Sequence, residues 1–103
     1  MIKTIYKLTE SKPTMMEVDE ELELIDQLMK CSITDILENK KDFLKILDAL
    51  QTSHTQSIFS VNKEKYIQFL NFSQWLTGLS KHFDKNTKEL ISNISETMSA
   101  SFT

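Results

Sequence analysis

The sequence predicts an all-α fold: a small bundle of three or four helices with a loose or extended N-terminal arm. Gly78 and Pro13 are its only glycine and proline, too few for the tight turns of a many-stranded β fold. Phe69, Phe72, Leu76, Leu79 and Phe83 recur at alternating steps of three and four, which puts them on one stripe of a helix. The 103 residues are 40% hydrophobic and 26% charged, the composition of a water-exposed domain with one thin core. We read residues 1–103 as a single helical domain: an arm over 1–13, a bundle over 14–100 and a frayed tail over 101–103.

The arm, MIKTIYKLTESKP, alternates Thr4, Tyr6 and Leu8 with Lys3, Ile5 and Lys7, which is weakly strand-like. Pro13 closes it, because the residue before proline is pushed toward extended conformations. Thr14 and Glu17 have capping-box spacing and open the first helix. Val18, Leu22, Ile25 and Leu28 or Met29 then recur at helical intervals. Glu17, Asp19, Glu20, Glu21, Glu23 and Asp26 crowd the same stretch with no lysine between them. Acids near a helix N-terminus are favoured by its dipole, but this density exceeds that need. It is either a solvated face or a docking surface for basic groups. The acids lack the spacing of a calcium loop.

Cys31-Ser32 breaks the chain, and Ser32 with Asp35 again fits a cap. A second helix is expected over 33–50 with Ile33, Ile36, Leu37, Phe43, Leu44, Leu47 and Leu50 inward. The polar run 51–60 reads as a linker ending in the N-cap Ser60, because Ser and Thr side chains compete for their own backbone. From Asn62 onward the apolar stripe permits one long helix or a hairpin bent near Gly78 or at Asp84. Two helices, 61–82 and 85–100, are favoured, since Asp84 can cap a new helix.

Several functions are disfavoured by composition. All twelve basic residues are lysine and the net charge is −3, so the bidentate arginine contacts of sequence-specific nucleic-acid binding are missing. No apolar run approaches the roughly 20 residues that cross a bilayer, so no membrane partner is expected. One cysteine cannot form an internal disulfide, which suggests a reducing compartment such as the cytoplasm. His54 and His82 stand too far apart in sequence for a local metal cluster, and a single glycine rules out a phosphate-binding loop. No metal or cofactor is expected.

The wide aromatic helix and the acidic first helix point instead to a protein partner. Aromatics at helical spacing are usually core, yet a stripe this wide on so small a domain has surface to spare. The candidate partner-binding residues are Tyr66, Phe69, Phe72, Trp75, Leu76 and Leu79 with Glu20, Glu21 and Glu23. The expectation is a non-enzymatic interaction module that occludes a partner protein, with homodimerisation a further use of the apolar face. Small size and the lysine-only basic complement suggest a bacterial or phage regulator or inhibitor. The narrower alternative is an immunity or antitoxin protein. In a different class, His82 and Lys85 share the H-x-x-K spacing of histidine phosphotransfer domains, which are four-helix bundles. That resemblance implies His82 as phosphoryl acceptor and Lys85 as the residue steadying the phosphate. In that family a glycine follows the lysine, whereas Asn86 stands here.

Overall fold

A computed structural model describes residues 1–12, 14–57 and 61–99. These form six α-helices, one 3-10 turn and no strand, so the fold is an all-α bundle with more and shorter helices than the sequence suggested. In order they are α1 (Ile2–Glu10), α2 (Val18–Met29), α3 (Ile33–Glu38), α4 (Lys40–Ser57), α5 (Lys63–Leu79) and α6 (Lys85–Ser99). α1 packs on α4, α2 lies across α4 and α5, and α6 pairs with α5 and also touches α4.

The expected extended arm is helix α1. Ile2, Ile5 and Thr9 face inward at helical spacing, and Tyr6 packs half-buried beside them. Burial of that face against α4 outweighs the weak alternation of the outward residues. α2 starts at Val18, three residues later than the Thr14–Glu17 pair implied, and Glu17 occupies the N-cap position without a side-chain cap bond. The chain before it is held elsewhere: the Met16 backbone N–H donates to Ser53 Oγ of α4 at 2.8 Å.

Ser32 caps α3 as expected, accepting from the Asp35 amide at 3.1 Å. The single helix expected over 33–50 is instead broken at Asn39, whose φ of −120° and ψ of 39° leave the helical region. Its side-chain amide donates to the Asp35 carbonyl at 2.9 Å and the Asp35 carboxylate at 3.0 Å, closing the end of α3. The break changes the facing of α3. Only Ile36 enters the core, while Ile33 and Leu37, expected inward, are exposed. α4 then runs seven residues into the expected linker, to Ser57. The Ser60 cap lies outside the described residues. Asn62 caps α5, accepting from the Lys65 amide at 2.9 Å.

The C-terminal half is a hairpin. α5 passes into a 3-10 turn at Ser80–His82, Phe83 is extended, and α6 begins at Lys85. Gly78 is an ordinary helical residue within α5 and does not make the bend. Asp84 does: its carbonyl accepts from the Lys88 amide at 2.8 Å, and its carboxylate takes hydrogen bonds from Thr87 and Lys40. Ser73, Thr77 and Ser95 join the two helices through a hydroxyl cluster with Oγ–Oγ separations of 2.7 and 3.0 Å.

Phe43, Phe69, Phe72, Leu47, Leu50, Leu76 and Ile91 are completely enclosed and form the centre of the core. Phe43 meets the Trp75 ring edge-on at 6.3 Å and the Phe83 ring face-on at 6.4 Å. Such burial contributes roughly 1.5–3 kcal/mol per large side chain, and the ring geometries add to it.

Candidate functional site

The helical stripe over 66–83 supplies core. Phe69, Phe72 and Leu76 are fully buried and Leu79 nearly so. They offer no surface to a partner in this conformation. Tyr66 and Trp75 are half-buried against the same core, and the Tyr66 hydroxyl donates to the Ser99 carbonyl at 2.9 Å. The three candidate acids separate. Glu23 is exposed, Glu20 is half-buried and paired with Lys12 at 3.2 Å, and Glu21 is turned fully inward.

The structure brings Glu20 and Glu23 together with Leu8, Lys12, Leu24 and Gln27 along a groove of about 170 Å³. Leu8 of α1 is 49% exposed and Leu24 of α2 only 4%, so the groove offers the apolar surface of Leu8 along with the two carboxylates. Asp19 and Asp26 extend the acidic surface of α2. Each has one lysine partner, Lys65 at 2.8 Å and Lys30 at 3.0 Å. Exposed pairs of this kind contribute about 0–1 kcal/mol and are weakened by salt. The acids are legible in the sequence and the groove is not, because the stretch around Leu8 alternates like a strand and hides the helix that lies beside α2.

A second grouping was missed in the sequence. Glu21 and His54 are both fully buried, with Glu21 Oε1 and His54 Nδ1 3.1 Å apart. Glu21 Oε2 accepts from Ser53 Oγ at 2.8 Å and Ser57 Oγ at 2.7 Å. The His54 ring lies 4.2 Å from that of Phe69, and His54 Nε2 has no hydrogen-bond partner among the described residues. The clue was register: Glu21 falls on the inward stripe of Val18, Ile25 and Leu28, and His54 and Ser57 continue that of Leu47 and Leu50. Ser57 is joined to the carboxylate and not to the imidazole, so the grouping lacks the nucleophile–base contact of a catalytic triad.

His82 is exposed in the 3-10 turn, and Lys85 is exposed in the first turn of α6. Cys31 is buried, its thiol donating to the Gln27 carbonyl at 3.5 Å. Burial pushes that thiol above its ordinary range and nearby Asp35 adds to the rise, while the N-terminal ammonium opposes it. Among the described residues no group of three or more His, Cys, Asp or Glu could hold a metal ion. No helix among them is long and apolar enough to cross a membrane. Compared with protein-family models, curated proteins and solved structures, the chain matches none.

Proposed function

We propose that this chain is a non-enzymatic interaction module that occludes a partner protein, a small cytoplasmic regulator or inhibitor of bacterial or phage type. The supporting observation is the groove between α1 and α2, which exposed Leu8 lines together with Glu23 and the Lys12–Glu20 pair. An amphipathic helix bearing lysines fits such a groove: its apolar side covers Leu8, and its ammonium groups meet the acids. The contact area moves from the aromatic stripe of α5 to α1–α2, while the kind of partner, a protein, stays the same. Neutralising a cognate toxin is one form of this role.

Affinity capture from the native host tests it. The same partner is expected on wild type, lost on Leu8→Glu and on the Glu20→Lys/Glu23→Lys pair, and retained on Lys81→Glu, which lies away from the groove. No partner, or a partner indifferent to the groove substitutions, overturns the proposal.

The exposed setting of His82 also permits phosphotransfer, in which a phosphorylated response regulator would label it. Absence of label, or label that survives His82→Gln, ends that reading.

A further inference from the structure

Glu21 and His54 have no part in the groove, and their burial calls for its own account. A buried ion or polar pair is seldom the most stable filling for a core position, since apolar residues of similar volume often do as well or better. Here the pair joins two helices, Glu21 on α2 and His54 on α4. The bonds from Ser53 and Ser57 to Glu21 Oε2 also run from α4 to α2. A carboxylate is an acceptor only, so in its ionised form it takes both hydroxyls and, where the ring proton sits on Nδ1, the His54 Nδ1–H as well.

Two details give this network a second arrangement. Each serine hydroxyl has another acceptor near it, the Met16 carbonyl at 3.3 Å from Ser53 Oγ and the His54 carbonyl at 3.4 Å from Ser57 Oγ. Moreover, with the ring proton on Nδ1, His54 Nε2 carries a lone pair and has no donor among the described residues, so a further proton can be taken up there. A proton arriving on Nε2 lets the one on Nδ1 pass to Glu21 Oε1, so the network gains one proton in all. Glu21 is then a carboxylic acid, and the serines can turn to the two carbonyls. Among the described residues the new Nε2–H has no acceptor in the closed core; admitting water would satisfy it, and a buried donor without a partner is costly.

We propose that the Glu21–His54 pair is a proton-operated latch that holds α2 on α4, closed in the carboxylate form and loosened by uptake of one proton. The sign follows from the proton count. The opened state binds the extra proton and the closed state does not, so the attachment of α2 weakens as pH falls. Other charged groups flank the pair. Glu17, Asp19 and Lys65 share a cleft with Ser57, and Lys12 and Asp48 share another with Met16. These groups stand near the surface, where salt screens them. The fully buried pair is screened far less.

Hydrogen exchange across α2 and α5, corrected for intrinsic rates and followed against pH, tests the latch on the whole chain. Opening of α2 should rise by up to about tenfold per pH unit of acidification, the slope of one proton. The slope should be similar in about 0.1 M and about 1 M salt, with α5 changing less. Over the same range the Glu21 carboxyl ¹³C and the His54 Nε2 ¹⁵N signals should report protonation. Replacing both groups, Glu21→Gln with His54→Gln, should abolish the slope, because either one alone can still take up a proton once opened to water. The proposal is overturned if α2 opening is independent of pH, if the double variant keeps the slope, or if Nε2 already carries a proton in the closed state at neutral pH. Should the double variant not fold, the two wild-type resonances decide alone.

Discussion

Glu21 and Glu23 stand two residues apart in a helix that reads as uniformly acidic, and the fold treats them oppositely. Glu23 faces water, whereas Glu21 receives two hydroxyl donors and the His54 ring inside the core. Removing Glu21 leaves His54 Nδ1 without its partner and the two serines on their longer carbonyl contacts, so Glu21→Ala should destabilise the chain by about 1–3 kcal/mol. Glu23→Ala should stay within about 0.5 kcal/mol. Urea denaturation of both variants measures the contrast, and equal costs would refute the assignment. Cys31 supplies a second residue-scale expectation. Because its thiol is held above the ordinary range, less thiolate is present at neutral pH. Alkylation should therefore be slower than that of an unfolded control and should recover as pH rises. A rate matching the control at neutral pH would contradict the burial seen here.

At the scale of elements, much of the fold was legible. The Ser32 cap, the division near Asp84 and the inward face of α5 follow from cap chemistry and three-four spacing. Three features were not. α1 hid its period, because Thr4, Tyr6 and Leu8 alternate while the residues that pack, Ile2, Ile5 and Thr9, are spaced as a helix. The break at Asn39 rests on side-chain bonds to Asp35, which apolar periodicity does not register. The polar end of α4 looked like a linker because its serines and histidine find their partner on α2, far away in sequence. For the same reason the acids of the groove were visible and its apolar component was not. Gly78 tests the helical description directly. It is exposed, its φ is not positive, and a Cβ there meets nothing within 4 Å. Gly78→Ala should therefore raise stability by about 0.5–1 kcal/mol. A loss would mean that α5 is not continuous at this point. The opposite sign is expected at the caps: Ser32→Ala and Asn62→Ala should each cost about 0.5–2 kcal/mol. Because they cap different helices, their effects should add in the double variant.

For the whole molecule, the question is which side meets a partner. The same aromatic residues cannot both fill the core and serve as a contact surface, and Phe69, Phe72 and Leu76 are wholly enclosed. Exposing them would require α5 to part from α2 and α6, which pack on it. The α1–α2 groove needs no such rearrangement, since Leu8 is already half in water. Trp75 distinguishes the two routes because it is the only tryptophan. It packs at 5.7 Å on Phe72 and edge-on to Phe43, and it is not among the residues that line the groove. Docking of a tryptophan-free partner segment on α1–α2 should therefore leave its emission maximum unchanged. The affinity should also fall steeply with added salt, as it must where carboxylates attract ammonium groups. A marked shift of Trp75 emission on binding, with little dependence on salt, would return the contact to the aromatic face and require the hairpin to open.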